Sequence, residues 1–356
     1  MCAAICVLAG VANAQAPSRT MTFAEVLARA REQAPQIVSA RLAVEETRGR
    51  LLGASRRLQT NPELEANLGN REGPESRFTD FEIGLGQSFE PGSRRSARIA
   101  GANAAIAQSS ANVDETTREV LRLAASAYFR ALHAQQRIRL LEATQELAAN
   151  VHSVADRRFK AGDIAILDVN IARTSLARVR AEREAAEATR ALAVGDLKQV
   201  LRLEGDIRVE GAFTPSGEPD LNLLLEAAAQ RPELRALEAG VQEAQADVQL
   251  GRTFGRPEYG LGVRYAREEG DQIVLGGVTV TLPVFSKGQE IQAVGSARAA
   301  RLRAELDAAR TRVQLEVRSA FEAYSRRVAA IRVLETEVIP GLDENVTLTT
   351  RSFEVG

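Results

Sequence analysis

The chain has 356 residues, 45% of them hydrophobic but only 4% aromatic, with no Trp and a formal net charge of −1. Such a balance gives no general electrostatic attraction to nucleic acid or to an anionic surface. Both cysteines, Cys2 and Cys6, lie at the start, so the rest of the chain offers no disulfide framework, thiolate metal site or Cys nucleophile.

Residues 1–16 read as a signal peptide. Ala3 to Ala12 is a short apolar run, and Ala12-Asn13-Ala14 has the small-x-small form of a cleavage site, with cut points after Ala14 or Ala16. No basic residue precedes the run, and Ala3-Ala4-Ile5-Cys6 is a poor lipoprotein box. A buried N-terminal helix is the other reading. No later apolar run reaches the roughly 18 residues of a membrane-spanning helix.

Thr22-Phe23-Ala24-Glu25 reads as a capping box opening a helix whose apolar face is Phe23, Val26, Leu27 and Ala30. A second helix follows over 36–59 and ends at Asn61-Pro62. The period then changes from that of a helix to strict alternation. Strands are predicted over 62–69 and 78–90, with Leu64, Ala66, Leu68, Phe81, Ile83, Leu85 and Phe89 on one face. Glu63, Glu65, Asn67, Asp80, Glu82, Gly84, Gly86 and Ser88 fall on the other. The run lengths suit a tilted strand crossing a bilayer, and apolar-out, polar-in alternation suits a water-filled barrel. A soluble hairpin packed by one face fits the same pattern.

A long helix is predicted over 92–160. From Ala102 to Ala161 there is neither Gly nor Pro, and Ala, Leu, Arg, Glu and Gln dominate. Leu121, Ala125, Leu132, Leu140, Leu141 and Leu147 give it a heptad-like stripe. Gly162 stops it, and a return helix runs over 166–203, making an αα-hairpin. Residues 205–219, with Gly205, Gly211, Pro215, Gly217 and Pro219, read as a linker.

The programme then repeats. Asp220-Leu221 matches Thr22-Phe23, Arg231-Pro232-Glu233 matches Ala34-Pro35-Gln36, and Arg256-Pro257-Glu258 matches Asn61-Pro62-Glu63. Strands are predicted over 258–267 and 272–284, and a second long helix over 286–355, kinked near Pro340-Gly341. Phe353-Glu354-Val355-Gly356 matches Phe159-Lys160-Ala161-Gly162. The organisation is thus a first repeat over 17–204 and a second over 220–356. The second stops at its turn, so the expectation is a fragment whose natural chain continues.

Four strands cannot close a barrel, and an open edge in hydrocarbon leaves backbone groups unsatisfied. Helices with narrow apolar stripes likewise need neighbours. Several chains sharing one barrel would satisfy both.

Gln87-Ser88-Phe89-Glu90-Pro91-Gly92-Ser93-Arg94-Arg95-Ser96-Ala97, its counterpart Leu282-Pro283-Val284-Phe285-Ser286-Lys287-Gly288, and the tip Arg158-Phe159-Lys160-Ala161-Gly162-Asp163 carry a family resemblance. The chain resembles the TolC-like outer membrane factor family, and the first two segments look most like its heavy-metal, CzcC-like branch. The resemblance implies a mainly α fold with a membrane β part. Three protomers would share a 12-stranded β-barrel in the outer membrane and an α-barrel of long antiparallel helices in the periplasm. It implies a trimeric exit channel of a tripartite efflux pump, passing heavy-metal cations. The implied partners are a periplasmic adaptor (membrane fusion) protein, an inner-membrane RND-type transporter and outer membrane lipid. It also implies adaptor docking at Ala161, Gly162, Asp163, Val355 and Gly356, and entrance gating at Asp168, for which N-terminal capping of the return helix is the other reading. Glu90, Pro91, Gly92, Arg94, Arg95 and Pro283 fall at the barrel-to-helix junction. Type I secretion or drug efflux on the same fold, or a periplasmic adaptor, are the alternatives. Ala161 and Asp163 depart from the commoner Val-Gly-Leu tip of the family.

No catalytic constellation and no cofactor is expected. His133 and His152 are nineteen apart and cannot chelate as an i,i+4 pair. There is no phosphate-binding Gly-x-x-x-x-Gly-Lys-Ser/Thr loop and no Gly-x-Ser-x-Gly elbow. Arg94-Arg95 without aromatic platforms is weak evidence for nucleic acid, and none is expected as a partner.

Overall fold

The computed structural model describes residues 19–73, 77–213 and 219–342, with 344, 345 and 348. The predicted signal peptide and the second tip, Val355 and Gly356, lie outside the described residues. In chain order the elements are β1 (Arg19–Met21), α1 (Phe23–Gln33), α2 (Pro35–Ala54), β2 (Glu63–Glu72), β3 (Arg77–Phe89), α3 (Gly92–Lys160) and α4 (Ile166–Leu201). They continue with β4 (Ile207–Val209), α5 (Leu221–Ala229), α6 (Pro232–Thr253), β5 (Glu258–Glu268), β6 (Asp271–Thr281) and α7 (Gln289–Val333), then a π turn over Leu334–Val338. The chain divides into two compact units, residues 1–42 with 113–216 and residues 43–112 with 217–356.

In the first unit the Thr22 capping box forms: Glu25 N–H donates to Thr22 Oγ1 at 3.4 Å and Thr22 N–H to the Glu25 carboxylate at 2.8 Å. That bond from the Thr22 backbone, then the one its hydroxyl donates to the same carboxylate at 3.1 Å, holds the Glu25 carboxyl below its usual range. The cap points Val26 and Ala30 inward. There they meet Ile37, Val120, Ala124, Tyr128 and Leu132 of α2 and α3, and Ala193, Leu197 and Leu201 of α4. Alanines at 124, 127 and 131 let the helix backbones approach. The buried seam of α3 therefore runs through Val120, Ala124, Ala127, Tyr128, Ala131, Leu132, Ile138 and Leu141. Leu140 and Leu147 of the predicted stripe are exposed instead, because the close contacts follow the alanine row.

The predicted linker contains a strand. Ile207, Arg208 and Val209 form β4, parallel to Arg19, Thr20 and Met21 of β1, with Ile207 and Val209 buried. Three residues between glycines are too short to carry a strand period, and the pairing partner is remote in sequence.

In the second unit β2, β3, β5 and β6 make one antiparallel sheet in that order. The two hairpins join through β3 and β5. The strands span 63–72 and 77–89 where 62–69 and 78–90 were expected, and 258–268 and 271–281 where 258–267 and 272–284 were expected. β6 stops at Thr281, the partner of Glu258, two residues before Pro283, which has no N–H to give to a ladder. Residues 74–76, inside the predicted first turn, lie outside the described residues. The second turn is tight: Glu269 and Gly270 both have positive φ between the paired Glu268 and Asp271, as a two-residue hairpin requires.

In the same unit α6 and α7 pack on each other through Val241, Ala244, Ala299 and Leu302, and through Leu234, Leu306 and Ala309. Gly251 and Gly288 mark their closest approach. Gly288, at φ +74°, is the N-cap residue of α7, and a Cβ there would overlap the Gly251 carbonyl oxygen. This close crossing delays α7 to Gln289, three residues beyond the predicted start at 286. α2 also ends earlier than expected, at Ala54, where the Gln59 side-chain amide donates to the Gly53 carbonyl at 2.9 Å.

The predicted kink near Pro340-Gly341 takes another form. Pro340 lacks the N–H of a helical bond and crowds the preceding turn. The α pattern gives way one turn earlier, over Leu334–Val338, where the Ile339 N–H reaches back to the Leu334 carbonyl. The helix then resumes through Leu342.

Candidate functional site

The sheet presents two chemically distinct faces. With Phe78, Ala266, Ile273 and Leu275 falling on the other face, cross-strand rows such as Leu64–Leu85–Val263 and Ala66–Ile83–Tyr265–Val274 gather the remaining large apolar side chains of the sheet. They are not covered: Leu68 is 81% exposed, Val274 70% and Val278 69%. A soluble hairpin would bury this face, so the packed-hairpin reading fails within the chain. The opposite face carries Glu82 and also Glu63, Glu65, Gly84, Gly262, Arg264, Leu275, Gly277 and Thr279, which line an open cavity of about 780 Å³ together with Leu64, Leu85 and Val263. Arg264 pairs there with Glu82 at 2.9 Å. The edges, β2 and β6, each have one neighbour in the sheet.

The predicted junction residues are brought together around the base of this sheet. Glu90 holds Arg98 through both carboxylate oxygens, just before Pro91, with Gly92 as the first residue of α3. Arg94 is only 7% exposed. Its guanidinium pairs with Glu258 at the start of β5, lies 4.2 Å from the Phe254 ring centroid, and approaches the Thr253 carbonyl at 3.5 Å. Arg95 donates twice to the Ser55 carbonyl, at 3.0 and 2.9 Å, closing the end of α2. Pro283 stands apart from this cluster, in the exposed lead-in to α7. Glu258, Thr253, Phe254 and Ser55 were not singled out in the sequence. The only signal for Glu258 was its place in the repeat of Asn61-Pro62-Glu63.

At the first tip, the Asp163 N–H bonds to the Arg158 carbonyl and the Gly162 N–H to the Phe159 carbonyl, both at 2.9 Å. Gly162 has φ +85°. This is a Schellman closure, which needs a left-handed residue where glycine stands. Arg157, Arg158 and Lys160 crowd the last turn, where cations suit the helix dipole. Ala161, Gly162 and Asp163 are exposed, as are Phe159, Ile166, Leu167 and Ile171 beside them. Asp168 is exposed in the first turn of α4, near the positive end of that dipole; the N-cap residue is Ala165, with no side-chain bond.

Elsewhere in the first unit, the Tyr128 hydroxyl donates to the Glu210 carbonyl at 2.6 Å, and burial pushes its pKa up. Phe23 and Phe129 pack against its ring at 5.3 Å between centroids. In the second unit, Arg298 bridges Glu243 at 2.6 Å and Asp247 at 3.4 Å. Burial, then the neighbouring Glu243 charge, raises the Asp247 pKa despite Arg298. Among the described residues no group of three His, Cys, Asp or Glu is placed to hold a metal. No described helix is long and apolar enough to cross a membrane.

Residues 26–201 match the family model described as outer membrane efflux protein. These residues, just under half of the chain, belong to the outer membrane efflux protein family. Among curated proteins it is 26% identical over 322 residues to the cobalt-zinc-cadmium resistance protein CzcC of Cupriavidus metallidurans, covering 88% of this chain and 75% of that one. Among solved structures it resembles the outer membrane protein VceC of Vibrio cholerae at a TM-score of 0.72 and 15% identity, covering 94% of this chain and 86% of that one. It resembles the outer-membrane channel OprN equally, at 0.72 and 17% identity, covering 94% and 81%. The chain is an outer membrane efflux protein with a channel fold, and its place is the outer membrane.

Proposed function

We propose that three copies of this chain close a 12-stranded barrel in the outer membrane and continue it as a ring of helices, forming the passive exit duct of a tripartite pump. The observation that carries this reading is the four-stranded sheet with one uncovered apolar face, one polar face and two open edges. A row of unpaired backbone groups is untenable in lipid, and closure by further copies removes it. On this reading the apolar face meets lipid and the polar face, with Glu63, Glu65 and Arg264, meets the water of the duct. The chain performs no catalysis; an inner-membrane RND-type transporter supplies the energy.

The exposed tip at Ala161, Gly162 and Asp163, flanked by Phe159, Leu167 and Ile171, is the docking point for a periplasmic adaptor, and Val355 and Gly356 supply its second copy. Asp168, exposed on the return helix, contributes to the closed entrance. The substrates are heavy-metal cations, a reading supported by the likeness to the cobalt-zinc-cadmium resistance protein over most of both chains. Residues 17–204 and 220–356 form the two repeats, with matching capped helices, hairpins and long helices.

The test is reconstitution of the purified protein. It should run as a heat-dissociable trimer and conduct ions across a planar bilayer. A monomer without conductance overturns the reading. Growth of a pump-deficient host on cobalt, zinc or cadmium salts, restored by this chain with its own adaptor and pump, tests the substrate class.

A further inference from the structure

The most exposed large apolar side chain described in the molecule is Phe285, at 91%. It stands four residues past the end of β6, in the segment Leu282-Pro283-Val284-Phe285. Val280 belongs to the apolar face of the sheet, opposite Tyr259, which in turn lies opposite Phe89. Leu282 and Val284 follow beyond the last ladder pair, and both are exposed. The turn is held by its own bonds: the Val284 N–H donates to the Leu282 carbonyl at 2.9 Å, and the Gln289 amide to the Phe285 carbonyl at 2.9 Å. Lys287 follows, exposed. An aromatic row at the end of an apolar sheet face, then a projecting Phe, then a Lys, is the order of chemistry across a membrane interface from acyl chain to headgroup phosphate.

We propose that Leu282–Phe285 is a lipid anchor: the Phe285 ring lies in the headgroup layer at the helical end of the sheet, with Lys287 beside the phosphates. The inference rests on the sheet lying in the membrane. A second copy is the less suitable cover. The segment that a neighbour's β2 edge would bring alongside the base of β6 is 56–63, in which Arg56, Arg57, Gln59, Thr60, Asn61 and Glu63 surround the lone exposed Leu58. A phenyl ring gains little against that chemistry.

The chain has no Trp, so single-Trp variants report position without background. Phe285→Trp, Val278→Trp in the sheet and Leu192→Trp on the exposed side of α4 are reconstituted as the full protein in phosphatidylcholine vesicles. The lipid is brominated either just below the headgroup or deep in the acyl chain. Phe285→Trp is expected to lose emission mainly to the shallow bromines, Val278→Trp mainly to the deep ones, and Leu192→Trp to neither. Val278→Trp quenched with Phe285→Trp unquenched overturns the anchor. Access of an aqueous quencher to Phe285→Trp would then mean that water surrounds it, and protection would mean that another copy covers it. If Val278→Trp is also unquenched, the membrane placement of the sheet fails and the anchor fails with it.

Discussion

Phe89 of β3 lies directly opposite Tyr259 of β5. It is the last of the nine pairs that join the hairpin of the first half of the chain to the hairpin of the second, a register that fixes which side chains share a face. A slip of one residue would turn the whole apolar set of one hairpin to the polar side. With the register as it stands, β2, β3, β5 and β6 act as a single surface.

Val263 and Arg264 are neighbours in β5 that face opposite ways. Val263→Arg places a cation on the apolar face and should cost about 2–4 kcal/mol near the bilayer midplane, read as loss of the heat-dissociable trimer. Arg264→Gln, on the polar face, should leave the trimer intact and change single-channel conductance and its ion preference. Equal tolerance of both substitutions would contradict the two-faced sheet.

Arg94 ties the start of α3 to Glu258 at the start of β5. Arg94→Met keeps the packing on Phe254 but strands the Glu258 carboxylate. Removing one partner of a fully buried pair costs more; Glu258 is half-exposed, so screening reduces the expected loss to about 2 kcal/mol. A lower dissociation temperature of the assembled protein is the readout, with recovery in the Arg94→Met, Glu258→Gln double variant.

Gly162 occupies a left-handed turn. A side chain there costs roughly 1–2 kcal/mol locally and distorts the Schellman closure. Gly162→Val is expected to retain the trimer and its conductance in bilayers but to lose capture of the adaptor and efflux in cells. Unchanged efflux would remove this tip from the docking surface.

Tyr128→Phe removes the donor to the Glu210 carbonyl and should destabilise the first unit by about 1–2 kcal/mol, measured by denaturant unfolding. Gly211→Ala should act on the same spot, since its Cβ would lie 2.5 Å from the Tyr128 hydroxyl. The two variants should therefore be non-additive.

Asp247 gives the pH prediction. Its folded-state pKa is raised, first by burial and then by Glu243. Below the ordinary carboxylate pKa of about 3.9 both folded and unfolded forms are protonated, and the group costs nothing. As pH rises the unfolded chain ionises first, so the native state loses stability through this group up to its folded pKa, and the loss then stays constant. Asp247→Asn should raise the thermal midpoint at neutral pH and leave it unchanged in acid, while Glu243 keeps Arg298. A gain of equal size at both pH values would exclude ionisation as the cause.

The strands were legible because alternation has period two and each run is long. The first long helix was legible because sixty residues without Gly or Pro, rich in helix formers, leave little else to form. The Schellman tip was legible from Gly162 alone. β1 and β4 were not, since three-residue strands carry no period and their partner is remote. Nor was the early break at Leu334–Val338, because Pro340 marks a disturbance without saying where the hydrogen bonds will yield.

The sequence by itself determined the repeated programme of capped helix, hairpin and long helix, and the alternating character of the four hairpin strands. These are local properties, written in propensity and period. Only the tertiary structure decided that the two hairpins share one sheet through Phe89 and Tyr259, that Arg94 is buried against Glu258, and that Gly251 and Gly288 let α6 and α7 touch. Those are encounters between distant segments, settled by register, charge pairing and the absence of a Cβ, and no local pattern encodes them.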